Sequence, residues 1–241
     1  MQSFSDPKSS SYARWTGFFY LGIAIAGGFS IAYVPAQIVV QNDAAATVAN
    51  IVGKNGLYHL GIAGDVVVMI FELFAVAMLY FMFRNVSKTL SFATAMARLS
   101  MVSVMSAMLF FHAGADLLAH SDQVMTNFSA EQRADLAGLF LEMHHAGVWI
   151  WQIFFTVHLL LLGYLVANSE RFPSLLGYGL MIGAIGYALD SAYAFAFPEI
   201  VWLGTLRIGL LAIVTLSEVG FALWLLIRAP QASAPLEGAL A

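Results

Sequence analysis

The stretch Leu57–Phe83, which reads LYHLGIAGDVVVMIFELFAVAMLYFMF, decides the fold class. A helix needs about 20 mostly apolar residues to cross the hydrocarbon core of a bilayer, and this stretch exceeds that length. Its only acids are Asp65 and Glu72. It is also far too long for one strand of a membrane barrel. Because a segment in lipid must satisfy its own backbone hydrogen bonds, the stretch predicts a transmembrane α-helix.

The composition extends this interpretation to the whole chain. Of 241 residues, 61% are hydrophobic and 10% are charged, and the mean hydropathy is +0.82. Soluble domains carry about 25% charged residues, so an ordinary soluble domain is excluded. The net charge of −4 excludes a general nucleic-acid binder. Cysteine is absent, which excludes disulfides, thiolate metal sites and thiol catalysis.

Six stretches are long and apolar enough to span a membrane, so we predict an all-α integral membrane protein with a six-helix transmembrane bundle. The predicted spans are Thr16–Val39, Leu57–Phe83, Ser91–His120, Leu136–Val166, Leu175–Phe197 and Val201–Ile227. They form one domain over residues 1–228, followed by a disordered tail at 229–241. Asp43 predicts the cap of a short helix after the first span. Ser129 with Gln132 predicts a capping box at the start of the fourth helix.

The basic residues of the short loops predict the orientation. Six of them fall on the side of the bundle that holds both termini: Lys8, Arg14, Arg84, Lys88, Arg171 and Arg228. Two, Lys54 and Arg133, fall on the other side. Cytoplasmic loops carry the excess of Lys and Arg, so we expect both termini in the cytoplasm of a bacterium and the chain in its inner membrane.

Ionisable and strongly polar side chains inside the spans are the strongest functional signal. A charged group at mid-membrane costs about 2.5–3.5 kcal/mol on insertion scales, so these groups must face one another or water. Helical spacing gives each of five helices one polar seam. We expect the seams to meet in a shared, solvated chamber. The residues are Asp65, Glu72, Arg98, His112, Asp116, Glu142, His144, His145, Gln152, His158, Asp190, Arg207 and Glu218.

Histidines and carboxylates near the end of the bundle away from the termini suggest a divalent metal as cofactor. His112 and Asp116 are spaced i,i+4, which suits a chelating pair, and His144 or His145 with Asp65 or Asp190 would complete the ligands. Adjacent helical residues diverge by about 100°, so one of the two neighbouring histidines should point inward. We expect catalytic roles for Asp65, His112, Asp116, His144 and Asp190. Arg207 would tune their charge or hold an anionic headgroup.

The leading hypothesis is an enzyme or binder for a small lipophilic molecule, using metal-assisted or acid/base chemistry. One alternative is a proton-coupled transporter with a relay of Asp65, Glu72, His158 and Glu218. In a further alternative the charged residues form structural ion pairs, Arg98 with Glu218 and Arg207 with Asp190 or Asp116. Another is a b-type haem protein with His112 and either His144 or His158 as axial ligands. The last is a structural or accessory subunit. The lipid bilayer is the one partner expected in every case, and the oligomeric state stays open.

Short motifs along most of the chain resemble a bacterial multi-pass membrane family known only as domain-of-unknown-function 4386. The resemblance implies an inner-membrane protein and brings no established activity. His112 and Asp116 lie outside it. The motifs are Arg14-x-x-Gly17-x-x-Tyr20, Asp43-Ala44-Ala45-Ala46-Thr47-x-x-Asn50, Gly61 with Asp65, Glu72, His144 with His158, Gly186-Tyr187-x-x-Asp190-Ser191, and Glu218 leading into Trp224-Leu225-Leu226.

Overall fold

The computed structural model describes residues 6–120, 123 and 125–228, and in these it contains helices and turns but no strand. Six helices are long and apolar enough to span a membrane, which confirms the predicted all-α architecture. The predicted tail at 229–241 lies outside the described residues. The helices are α1 (Ser10–Ile38), the short α2 (Ala44–Gly53), α3 (Asn55–Phe83), α4 (Lys88–His120), α5 (Ala130–Ala167), α6 (Ser174–Ala196) and α7 (Val201–Ile227).

Both predicted helix starts are confirmed by their hydrogen bonds. Asp43 Oδ1 accepts from the backbone N–H of Ala46 at 2.8 Å and caps α2. Ser129 Oγ accepts from the N–H of Gln132 at 3.2 Å, and the Gln132 side chain accepts from the N–H of Ser129 at 2.9 Å. These bonds satisfy N–H groups that have no partner inside the helix.

The six spanning helices form a closed ring in chain order. Each packs against its sequence neighbours (α1 on α3, α3 on α4, α4 on α5, α5 on α6, α6 on α7), and α7 returns to pack on α1. The short α2 packs on α4 and α5 at one end of the ring, which we call the α2 end. At the opposite, terminal end, Arg171 donates to the Pro7 carbonyl and Trp224 Nε1 donates to the Arg171 carbonyl. The first and last described residues, Asp6 and Arg228, therefore lie at that end.

Small residues bring three neighbouring helices close together. A Cβ atom added to Gly177 on α6 would lie 2.5 Å from the carbonyl oxygen of Gly163 on α5. A Cβ atom added to Gly183 would lie 2.5 Å from the Cα atom of Val214 on α7. Such contacts are a normal source of helix association in lipid, where close packing replaces the hydrophobic effect.

Helix α1 is interrupted by a wider turn of π-helix at Gly28–Tyr33, directly before Pro35. Proline lacks an N–H and its ring clashes with the carbonyl four residues earlier, which here is that of Ile31. The wider turn accommodates the clash without ending the helix. Within this turn, the Ser30 side chain is buried.

Candidate functional site

Three side chains from three helices meet near the α2 end of the interior. Asp65 on α3, His112 on α4 and His144 on α5 each offer one ligand atom, and these atoms lie within 4.8 Å of one another. We call this group the Asp–His–His cluster. Within residues 6–120, 123 and 125–228, no other set of three His, Asp or Glu side chains comes together in this way.

A tyrosine that the sequence analysis missed fixes the orientation of His112. The Tyr58 hydroxyl lies 3.0 Å from His112 Nδ1 and donates to the His112 carbonyl oxygen at 3.1 Å. In the tautomer with the proton on Nδ1, the phenol oxygen accepts from Nδ1 while its own proton goes to the carbonyl oxygen. The lone pair of Nε2 is then left for a ligand. Tyr58 precedes Asp65 by seven residues and so shares its helix face, a signal present in the sequence.

Asp65 is a buried carboxyl group without a cationic side chain as partner. It is 7% exposed, and among the described residues neither Lys nor Arg forms an ion pair with it. The nearby Ser30 Oγ is also buried and is a hydrogen-bonding neighbour of this carboxyl group. An uncompensated buried carboxylate costs several kcal/mol, so this position favours either a proton or a bound cation.

The cluster fits the donor set of a divalent transition metal. Two imidazoles and one carboxylate with an open fourth position are the ligands of catalytic zinc sites, and imidazole also suits iron. Metal–ligand bonds of 2.0–2.1 Å in a tetrahedron put ligand atoms about 3.3 Å apart, so the side chains would close by roughly 1 Å around an ion. A pocket of about 20 Å³ borders Asp65 and His144. That volume suffices for one water molecule.

Several predicted site residues lie outside the Asp–His–His cluster. Asp116 is 3.2 Å from His59 Nε2 and 3.1 Å from His120 Nδ1, so the predicted chelation with His112 is not formed. One helical turn beyond His112, Asp116 lies at the rim of the bundle, where these partly exposed histidines reach it. His145 is exposed and packs on the Trp149 ring, with centroids 5.0 Å apart.

Asp190 also lies apart from the cluster, because Arg207 pairs with it. The Arg207 guanidinium lies over the Tyr193 ring at 4.2 Å. This ion pair joins α6 to α7, as one of the sequence-based alternatives proposed. The interior polar side chains therefore form separate groups instead of one chamber.

A second buried group lies toward the terminal end and is centred on Arg98. Its Nε and Nη2 donate to the two carboxylate oxygens of Glu72, and its Nη1 donates to His158 Nε2 at 2.9 Å. His158 Nδ1 then donates to the Thr94 carbonyl at 3.0 Å. Both ring nitrogens of His158 are occupied, which defines one neutral tautomer. We call these three residues the Arg98 network.

The haem alternative does not fit this geometry. Axial ligands approach iron from opposite faces of the macrocycle, whereas the rings of His112 and His144 have centroids only 3.9 Å apart. His158 cannot replace either of them, because Arg98 and Thr94 occupy its two nitrogens.

A cavity of about 240 Å³ lies inside the ring between these two groups. Its walls are mostly apolar, and the Asp, Glu, Lys, Arg or His residues that line it are Glu72, Arg98 and Glu218. Tyr20 donates to Glu218 Oε1 at 2.9 Å. Three apolar residues, Ile31, Met105 and Trp151, line both this cavity and the pocket beside the Asp–His–His cluster. The two spaces are therefore adjacent.

The cavity wall reaches the outer surface of the bundle between α1 and α7. Ala24 and Gly28 on α1 and Thr215 on α7 line the cavity and are also exposed. A Cβ atom on Gly17 would lie 2.9 Å from the Ala222 carbonyl oxygen, but one on Gly28 would meet nothing within 4 Å. The two helices thus touch near the terminal end and separate toward the α2 end, leaving a lateral gap.

Comparison with known proteins identifies the family. The model of a domain of unknown function (DUF4386) matches residues 15–229. The chain belongs to this family. It is also similar to an uncharacterized protein of the archaeon Archaeoglobus fulgidus, with 26% identity over 172 residues that cover 71% of this chain and 85% of the relative. No solved structure matches.

Five of the residues through which the sequence resembles the DUF4386 family belong to the interior groups or the cavity between them. Asp65 and His144 belong to the Asp–His–His cluster, and Glu72 and His158 to the Arg98 network. Glu218 faces the cavity between them. His112, which stands outside the resemblance, supplies the third side chain of the cluster.

Proposed function

We propose that this protein is a metal-dependent membrane enzyme that acts on a small lipophilic molecule. Asp65, His112 and His144 would hold one divalent transition-metal ion. The observation that carries the proposal is that a buried carboxyl without an Arg or Lys partner lies beside two inward-facing imidazoles. Neutral imidazoles cannot compensate a carboxylate, whereas a divalent cation compensates it and uses all three side chains as ligands.

The residues around the cluster have roles that follow from their contacts. A metal bound there would act as a Lewis acid toward a substrate oxygen or an activated water. Tyr58 holds the His112 ring with Nε2 toward the cluster, a positioning role that usually matters for metal affinity. Ser30 Oγ, buried next to Asp65 and free of other bonds within the described residues, can donate to a ligand oxygen.

The substrate class follows from the cavity and its lateral gap. Ligand sites are typically concave and mostly apolar with a few polar groups, which describes this cavity. Its outer opening between α1 and α7 faces the region where acyl chains would lie, so a molecule dissolved in the bilayer can reach it without crossing water. The apolar residues that line both spaces connect the cavity with the metal position.

The test is elemental analysis of the purified, tag-free protein after reconstitution with zinc, iron or manganese. We expect close to one metal ion per chain, with His112→Ala and His144→Ala reducing it to background. His59→Ala and His145→Ala are matched controls, because both histidines lie outside the cluster. Full metal content in the His112 and His144 variants, or none in the wild type with any of the three metals, would refute the proposal.

We also propose that the terminal end faces the cytoplasm, on the basis of the six basic residues on that side against two on the other. Because the chain has no cysteine, single substitutions report topology directly. Asn127→Cys at the α2 end should react with a membrane-impermeant maleimide in intact cells, and Asn85→Cys should react only after lysis. The opposite pattern would reverse the orientation.

A further inference from the structure

Among the described residues, Glu218 is an interior acid that has neither an Arg or Lys ion-pair partner nor an imidazole beside it. Arg98 pairs with Glu72, Arg207 pairs with Asp190, and Asp65 has two histidines beside it. In the part of the chain that the structure describes, Glu218 forms no ion pair with Lys or Arg. The Tyr20 hydroxyl donates to it, and the Tyr187 hydroxyl is a second hydrogen-bonding neighbour. Both are neutral donors that orient the carboxyl group without balancing its charge.

Arg98 lines the same cavity, but its ion pair is with Glu72 and not, as the sequence had suggested, with Glu218. Its Nε, Nη1 and Nη2 atoms all donate to Glu72 or His158. The Glu72 carboxylate cancels its charge. With Glu218 ionised, the three side chains of Glu72, Arg98 and Glu218 together carry one net negative charge. Three of the five N–H groups of Arg98 donate to Glu72 and His158, and its guanidinium lies over the Tyr20 and Phe155 rings at 4.7 and 5.6 Å.

The cavity wall next to Glu218 is aromatic. Trp151, Phe155 and Tyr187 line it together, with ring centroids 5.2 Å apart for Phe155 and Tyr187 and 6.2 Å apart for Trp151 and Tyr187. Aromatic ring faces attract cations, most strongly where water is excluded. A carboxylate beside several aromatic rings is the combination that recognises an organic ammonium group.

We infer that the cavity binds a lipophilic monocation, an alkylammonium compound whose head lies between Glu218 and the aromatic wall. As a statement about substrate class this rests on the proposed function, but the binding itself requires no metal. Glu72 lines the cavity together with Glu218. It follows Asp65 by seven residues, so the cavity and the Asp–His–His cluster lie about 10 Å apart along α3. A bound alkyl chain of that length would extend from the ammonium head to the Asp–His–His cluster.

The experiment measures equilibrium binding of three chain-matched probes to the metal-free full-length protein in lipid nanodiscs. The probes are octyltrimethylammonium, its neutral isostere 2,2-dimethyldecane and octyl sulfate. We expect saturable 1:1 binding of the cation, at least tenfold tighter than that of either other probe at equal membrane mole fraction. Glu218→Gln should weaken cation binding at least tenfold, and Glu142→Gln, which removes an exposed acid of α5, should not change it.

The outcome of the cation-binding experiment can be distinguished from the outcome of the metal-content experiment. Metal content measured on the Glu218→Gln protein should equal that of the wild type, whereas His112→Ala should lose metal and keep cation binding. If Glu218→Gln does not fold, the preference among the three probes in the wild type decides alone. Equal or tighter binding of octyl sulfate, or an unchanged cation affinity in a folded Glu218→Gln protein, would overturn the inference.

Discussion

Replacing Arg98 by Met would leave the Glu72 carboxylate buried without its cation. Arg98 is 1% exposed and donates two hydrogen bonds to Glu72 and one to His158. Breaking a buried ion pair from one side costs about 3–5 kcal/mol. For a chain of this size, 1 kcal/mol corresponds to about 2–4 °C, so the midpoint of thermal unfolding should fall by roughly 6–20 °C.

The double variant Glu72→Leu/Arg98→Met distinguishes the contribution of the ion pair from the contributions of the two separate side chains. Replacing both partners by apolar groups removes the uncompensated charge, so we expect this protein to be more stable than Arg98→Met alone. His158 Nε2 loses its donor, which leaves a residual cost of about 1–3 kcal/mol. Thermal unfolding in one detergent, followed by intrinsic fluorescence, gives the double-mutant cycle. Arg84→Met, which removes an exposed Arg at the end of α3, is the control.

The coupling energy between positions 72 and 98 decides whether Glu72 and Arg98 act as a pair. We expect at least about 2 kcal/mol, well above the average of about 0.6 kcal/mol for ordinary interhelical hydrogen bonds in membranes. If the double variant loses the sum of the two single effects, Arg98 and Glu72 do not act as a pair, and the description of the Arg98 network is wrong.

Three smaller predictions follow from individual contacts. Gly177→Ala should destabilise the protein by about 1–3 kcal/mol in thermal unfolding, because its Cβ would lie 2.5 Å from the Gly163 oxygen. Gly28→Ala should leave the stability unchanged, because a Cβ atom there meets nothing within 4 Å. Tyr58→Phe should weaken metal binding about 10–100-fold in chelator competition with little change in unfolding temperature, and an unchanged affinity would exclude a positioning role. Ser129→Ala should speed amide exchange in the first turn of α5 and cost about 1 kcal/mol.

The sequence was sufficient to predict the structural features that depend on interactions between nearby residues. Apolar length located all six spans, and the side-chain caps of Asp43 and Ser129 start helices where the motifs predicted. The 100° rotation between neighbours anticipated that His144 and His145 would point in different directions. Each of these features is set within one or two helical turns.

Pairing between helices could not be derived in the same way. His112 and Asp116 share a face, but only the rotation of α4 against α3 decides that one meets Tyr58 and the other His59. Glu218 finds Tyr20 across 198 positions of sequence because α7 closes the ring on α1. Helical periodicity identifies the inward face of each helix. It does not specify which residues of the other helices that face contacts.

The lateral gap between α1 and α7 has a consequence for pharmacology. A ligand that enters from the bilayer equilibrates with its concentration in lipid and not with its concentration in buffer. Each added methylene favours partitioning by about 0.8 kcal/mol, which raises the lipid concentration roughly fourfold at a fixed aqueous dose. Apparent potency would then climb along a homologous series even if no new contact with the protein were made, and long-chain compounds would wash out slowly from whole cells.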